Sequence, residues 1–175
     1  MAQDPHFKTQ DDDRGQALSD YWPLASLMVV AALAGVAICL RTDGDLMTGM
    51  AAFMGVFLCI FALLKLFHPS AFADGFAMYD LLAKRWRGYG YVYPIIELTL
   101  GLGFLSGLYP LWVTGATVVV MTFGALGVVS ALRQGLDINC PCMGSVLDVP
   151  LSTVTLTEDL GMGAMALVML LVHLS

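Results

Sequence analysis

Charged residues are scarce in this chain, and it has no broad basic surface. Only 13% of its 175 residues are Asp, Glu, Lys or Arg, whereas 58% are hydrophobic. One soluble core of this size cannot bury so large an apolar share, so the composition excludes an ordinary soluble domain. The eight Lys and Arg residues are too few and too closely tied to apolar segments to form a nucleic-acid-binding face. We therefore expect the lipid bilayer, and no nucleic acid, as a partner.

Long uncharged runs dominate what remains. A helix needs about 20 mostly apolar residues to cross the hydrocarbon of a bilayer. Five runs approach that length, namely residues 21–40, 46–67, 91–109, 111–132 and 156–174. The sequence therefore predicts an all-α integral membrane protein with five spans.

The predicted spans divide the chain into three segments. Residues 1–20 are polar and lack periodicity, so we expect a disordered tail. Residues 21–45 form an extra amino-terminal transmembrane helix and its loop, and residues 46–175 form the main four-helix domain. A short interfacial helix is expected before the third span, because large apolar residues recur there at helical spacing. These are Phe72, Phe76, Tyr79, Leu82 and Trp86, followed by a predicted interfacial belt of Tyr89, Tyr91 and Tyr93.

The basic residues predict an orientation in the bacterial inner membrane. With five spans, one side carries Lys8, Arg14, Lys84, Arg85, Arg87 and Arg133, and the other carries Arg41. The positive-inside rule assigns the first side to the cytoplasm. The amino terminus and the loop containing Cys140 and Cys142 are then predicted to be cytoplasmic.

The chain has four cysteines, and two of them form the motif Cys140-Pro141-Cys142. Two thiols at this spacing can close a small disulfide ring or grip one soft metal ion, and the proline restricts the backbone between them. Strain in so small a ring favours reduction, and hence a cycling role over a permanent crosslink. The alternative is a pair of incidental loop cysteines.

Lys65 and Glu97 are ionisable residues inside the apolar runs. Lys65 lies near the end of the second run, and Glu97 lies about one turn inside the third. Charges within a membrane are costly and are usually paired, so we predict a Lys65–Glu97 ion pair at a functional site. The alternative for Lys65 is snorkelling to the interface. His68 follows at the same surface and is a candidate proton carrier, although it can equally be a solvated histidine.

Other candidate residues have plainer explanations. Glu158 and Asp159 fit a capping box, Thr155-Leu156-Thr157-Glu158, at the start of the last helix. Cys39 and Cys59 fall within the first two spans, where free cysteines act as small hydrophobes, or else form a metal relay to the loop pair. Methionines recur on the second and last spans. Thioethers bind Cu(I), but methionine also fills gaps between packed helices.

Several of these motifs, taken in order, resemble the MauE/DoxX family over roughly residues 46–174. The resemblance is carried by Lys65, His68-Pro69 with Phe72, the segment Tyr79 to Lys84, Pro94 with Glu97, and Cys140-Pro141-Cys142-Met143-Gly144 leading to Pro150-Leu151-Ser152. It implies a four-helix membrane unit associated with thiol redox chemistry. MauE is linked to maturation of the disulfide-rich small subunit of methylamine dehydrogenase, and DoxX relatives are linked to quinone-coupled sulfur oxidation. The extra amino-terminal helix and the predicted cytoplasmic loop depart from that plan, since disulfides for exported proteins form on the other side.

Three functional hypotheses follow. In the first, the protein is a thiol–disulfide oxidoreductase in which Cys140 and Cys142 exchange with a thiol-containing partner protein or a membrane quinone, assisted by Lys65, Glu97 and His68. In the second, it carries Cu(I) or Hg(II) past Cys39 and Cys59 to the Cys140/Cys142 pair and on to a metal-carrying partner. In the third, it is a non-catalytic membrane anchor for a redox partner.

Overall fold

All six elements in the described part of the chain are α-helices. The computed structural model describes residues 21–80, 82–108, 110–133 and 151–175. The helices are α1 (Trp22–Arg41), α2 (Leu46–Phe67), α3 (Pro69–Tyr79), α4 (Tyr89–Ser106), α5 (Pro110–Arg133) and α6 (Leu151–Leu174). The predicted all-α class is confirmed. The predicted tail and the Cys140–Cys142 motif lie outside the described residues.

Within these ranges, four helices are long and apolar enough to cross a membrane. They are α1, α2, residues 110–130 of α5 and residues 155–174 of α6. The chain is therefore a multi-pass membrane protein. Helix α4, predicted as a further span, is not among the four, because its 18 residues include three tyrosines, Pro94 and Glu97. Tyr93, Pro94 and Glu97 are buried inside the bundle, so these residues of α4 contact other helices and not lipid.

The bundle is built from two layers of neighbouring helices. Helix α2 packs between α1 and α4, α5 packs along α6, and α3 lies against α4 and α5. The α2–α4 contact is close because glycines face each other there. A Cβ atom on Gly101 would lie 2.8 Å from the Cys59 Sγ atom and 2.9 Å from the Gly55 carbonyl oxygen. Small residues at a helix crossing let the backbones approach in this way.

The short helix predicted before the third span is present as α3, but it is shorter than the apolar pattern. It ends at Tyr79, so Leu82 and Trp86 lie beyond it and are exposed. Phe72 and Phe76 are buried instead of facing lipid headgroups, and the Phe76 ring lies 4.7 Å from that of Tyr93. Helical periodicity shows that a helix has an apolar face without showing what covers that face, so the position of α3 in the membrane interface stays a prediction. Here the apolar face covers one end of the bundle.

The predicted tyrosine belt is corrected for the same reason. Tyr91 is exposed, but Tyr93 is buried and Tyr89 is half-buried against the α3 phenylalanines. Residues two apart on a helix point in different directions, so three alternating tyrosines cannot all face the interface.

Carboxylates fix two of the connections outside the spans. Asp45 caps α2, because its Oδ1 atom accepts hydrogen bonds from the Thr48 N–H and hydroxyl at 3.0 and 3.2 Å. These bonds hold the pKa of Asp45 below its usual value. After α3, Asp80 accepts hydrogen bonds from the N–H groups of Leu82 and Ala83 at 2.9 and 2.8 Å, while burial raises the pKa of Asp80. Asp80 therefore organises the turn that leads to α4.

The glycine contact between α2 and α4 generates the first prediction. Gly101→Ala places a methyl group against Cys59 and the α2 backbone, so we expect it to lower the free energy of unfolding by about 1–3 kcal/mol. Gly115→Ala on α5 is the matched control, because nothing lies within 4 Å of its Cβ position. Thermal unfolding in detergent micelles compares the two variants. Equal stability of both would contradict the close α2–α4 contact.

Candidate functional site

A buried ion pair lies inside the bundle, towards one of its ends. Lys65, near the end of α2, donates from Nζ to both carboxylate oxygens of Glu97 on α4, at 2.5 and 2.6 Å. The residues are 4% and 0% exposed, so neither charge reaches solvent. The Lys65–Glu97 pair predicted from the sequence is therefore present, and Lys65 does not snorkel to the surface.

Two further acids, from α6, join this pair. Lys65 Nζ also donates to Glu158 Oε1 at 3.3 Å. Asp159 follows Glu158 in the chain, and the two residues are 2% and 4% exposed respectively. We call Lys65, Glu97, Glu158 and Asp159 the buried charge cluster. Three helices that are distant in sequence supply its members.

The sequence reasoning missed Glu158 and Asp159 as members of this cluster. It assigned them to a helix cap, but α6 begins at Leu151 and both acids lie in its interior. A recognisable signal was present, because buried residues recur along α6 at helical spacing and the acids fall within that pattern. The buried positions are Thr155, Glu158, Asp159, Met162, Ala166 and Met169. The same face of α6 is thus apolar towards its end and acidic towards its beginning.

Aromatic rings surround the ammonium group of Lys65. Its Nζ atom lies 5.3 Å from the ring centroid of Tyr93 and 5.8 Å from those of Phe61 and Phe72. The negative face of an aromatic ring attracts a cation at such distances. Tyr93 also hydrogen-bonds through its side chain to Glu97. The rings therefore support the Lys65–Glu97 pair and keep water away from it.

The structure does not bring the other described candidates into the cluster. His68 is exposed at the junction of α2 and α3. Cys39 donates its S–H to the carbonyl oxygen of Gly44 at 3.2 Å and lies beside Gly49 of α2. Cys59 is ten residues farther along α2, or about 15 Å at 1.5 Å per residue.

Both of these cysteines are free thiols, and they lie at different depths along α2. In the parts of the chain that the structure describes, no group of three or more His, Cys, Asp or Glu residues is arranged to hold a metal ion. The described residues therefore offer no ready-made ligand set for the metal-carrier hypothesis.

Taken together, the helices and the cluster define a multi-pass, all-α membrane protein with an ionisable centre buried in its bundle. The profile of the family described as methylamine utilisation protein MauE matches residues 43–172, about three quarters of the chain. The chain belongs to this family. Helix α1 lies outside the matched residues. Searches of curated proteins and of solved structures give no significant match.

The cluster geometry generates the second prediction. Lys65→Met leaves Glu97 and Glu158 buried without their cation, and breaking a buried pair in this way costs about 3–5 kcal/mol. We therefore expect a large loss of stability in chemical or thermal unfolding of the detergent-solubilised protein.

The matched control is the ion pair between Arg87 and Asp74, whose side chains are 60% and 51% exposed. Exposed pairs contribute roughly 0–1 kcal/mol, so Arg87→Met should change stability little. If both variants lost the same small amount, the buried charge cluster would not be a stabilising centre.

Proposed function

We propose that this protein is a membrane thiol–disulfide redox protein of methylamine utilisation, with Cys140 and Cys142 as the reacting thiols. The proposal combines the chemistry of the Cys140-Pro141-Cys142 motif with membership of the MauE family. The observation that carries it is the place of the buried charge cluster, which lies at the end of the bundle to which the cysteine segment is joined.

The order of the helices shows to which end of the bundle the cysteine segment is joined. Helix α5 ends at Arg133 and α6 begins at Leu151, so the segment containing both cysteines connects these two helix ends. Gly124 of α5 faces Asp159 of α6, because a Cβ atom on Gly124 would lie 2.5 Å from Asp159 Oδ2. The two helix ends are about 12–14 Å along their helices from this contact, at 1.5 Å per residue.

Thiol–disulfide exchange needs such groups because it moves protons with electrons. A partner thiolate attacks the Cys140–Cys142 disulfide, forms a mixed disulfide with one cysteine and releases the other. The second partner thiolate then attacks the mixed disulfide and releases the remaining cysteine. The partner leaves as a disulfide, having lost two electrons and two protons. Cys140 and Cys142 become two thiols, having gained them. A membrane quinone that accepts two electrons and two protons would restore the disulfide and leave as a quinol.

The described residues suit the proton side of this reaction. Lys65 Nζ donates a short hydrogen bond to Glu97, along which a proton can pass from one side chain to the other. His68 is exposed at the same end, where α2 meets α3, and an imidazole ring can both accept and donate a proton. We propose that Lys65 and Glu97 hold the internal proton and that His68 passes protons to and from solvent.

The partner is proposed to be a thiol-containing protein whose disulfides are made or exchanged in methylamine utilisation. Arg85, Arg87 and Arg133 lie at the cluster end of the bundle, and Arg41 lies at the other end. The positive-inside rule then favours a cytoplasmic cluster end, whereas an exported partner requires the opposite face. The sidedness of Cys140 and Cys142 therefore decides which partners can be reached.

Thiol trapping in intact cells tests the proposal. A membrane-impermeant maleimide, applied with and without prior reduction, should label Cys140 and Cys142 from one side and reveal a disulfide-bonded fraction. We expect one of the variants Cys140→Ser and Cys142→Ser to accumulate a mixed disulfide with a partner, because its resolving thiol is gone. The other variant and the double variant should form none.

Cys39→Ser and Cys59→Ser are the matched controls, and they should leave the mixed disulfide unchanged. Two results would replace the proposal. Stoichiometric Cu(I) or Hg(II) binding that is lost with either loop cysteine, without any change of oxidation state, would indicate a metal carrier. Loop cysteines that stay reduced and bind neither metal nor partner would indicate a membrane anchor.

A further inference from the structure

Three buried polar atoms at the start of α6 have no hydrogen-bond partner among the described residues. They are Thr155 Oγ1, Glu158 Oε2 and Asp159 Oδ2. The residues are 9%, 4% and 2% exposed, so solvent does not satisfy these atoms. An unpaired polar atom is costly in an apolar interior, so three such atoms close together require an explanation, such as a bound water, ion or proton.

Two of these side chains face a small cavity. Thr155 and Asp159 line a cavity of about 10 Å³, the volume in which roughly one water molecule fits. Its remaining walls are Lys65, Phe72, Phe76, Tyr93 and Gly124. A Cβ atom on Gly124 would lie 2.5 Å from Asp159 Oδ2, so a side chain at this position would displace the Asp159 carboxyl group. The bundle therefore has space here for the Asp159 carboxyl group and for one very small ligand.

The charges around the cavity do not balance. Helix α2 contributes Lys65, α4 contributes Glu97 with the Tyr93 hydroxyl, and α6 contributes Glu158 and Asp159. Asp80, after α3, also acts on Asp159 with a like charge, while α5 presents Gly124. Three buried carboxylates against one ammonium leave a formal charge of −2 before Asp80 is counted. A membrane interior does not tolerate such an excess, so positive charge must be bound.

The available donors favour a proton over an inorganic cation. Calcium takes six to eight oxygen ligands and magnesium requires an octahedral set. The cavity offers the oxygens of Thr155 and Asp159 beside aromatic rings and the Lys65 ammonium group, which repels a metal ion. A carboxylic acid needs no such set, because its bound proton can be donated to a single neighbouring oxygen.

We propose that Asp159 and Glu158 form a proton-binding site, in which Asp159 holds an exchangeable proton against Thr155 or one water molecule in the cavity. Glu158 connects this site to Lys65, and Lys65 connects it to Glu97. A second proton, on Glu158, brings the formal charge of these four side chains to zero, and the four side chains form a path along which a proton can move. The site stands on its own geometry and does not depend on thiol chemistry at Cys140 and Cys142.

Infrared spectroscopy of the full-length protein in lipid nanodiscs tests this proposal. A protonated carboxylic acid has a C=O stretching band that a carboxylate lacks. We expect the wild-type protein to show this band at neutral pH and to lose it as the pH rises. Asp159→Asn should remove the main component, and Asp159→Asn with Glu158→Gln should remove the band completely. Gly124→Ala should shift its frequency, because the new methyl group displaces the Asp159 carboxyl group.

Asp74→Asn, on the exposed surface, is the matched control and should leave the band intact. A second readout is independent of the band: thermal stability of the wild type should fall as the pH rises from about 4, where the carboxyl groups of the unfolded chain begin to ionise, because the folded protein keeps protons that the unfolded chain releases. Asp159→Asn, which resembles the neutral acid in shape, should lessen that fall.

Three outcomes would overturn the proposal. They are a wild-type protein without the band at neutral pH, a band unaffected by the Asp159 and Glu158 substitutions, and a band abolished by Na⁺ or Mg²⁺ at constant pH, which would indicate a cation site. A Cys140→Ser/Cys142→Ser protein should keep the band, so failure of the redox proposal would be distinguishable from failure of this one.

Discussion

The structure depends on neutralising one ammonium group in an apolar interior. Lys65 cannot be buried alone, and its partners Glu97 and Glu158 come from two other helices. Satisfying this charge therefore brings the end of α2, the middle of α4 and the start of α6 to one point. The aromatic rings from α2, α3 and α4 close over the same point. The interaction that joins the helices is also the one that gives the protein an ionisable centre.

The two ends of the bundle therefore differ in the side chains and cavities that they contain. The cluster end contains the buried acids and a space for one small ligand. At the other end, α2, α4, α5 and α6 surround a larger cavity of about 160 Å³, in which Met47, Phe104 and Met169 meet Thr114 and His173. Carboxylates do not line that cavity among the described residues. The buried carboxylates of the cluster thus lie at the end where the α5–α6 connection, with its two cysteines, is attached.

Membership of the MauE family gives this arrangement a biological setting in methylamine utilisation. The matched residues begin just before α2, so all four members of the buried charge cluster fall within them, and α1 does not. Helix α1 packs along α2 and is largely exposed, with Ala31 and Gly35 among its few buried residues. The ionisable centre is thus built entirely from the part of the chain that defines the family, and α1 contributes no charged group to it.

The sequence alone determined the membrane class, the helical architecture and the Lys65–Glu97 pair. The first two follow from long apolar runs, which local composition reveals. The pair follows because an unpaired charge is costly in an apolar segment, and Lys65 and Glu97 are opposite charges predicted at similar depth. The tertiary structure alone decided that Phe72 and Phe76 face inward, that α4 turns its polar residues to the interior, and that Glu158 and Asp159 join Lys65. Local patterns describe one helix at a time, whereas burial and charge compensation depend on which helices meet.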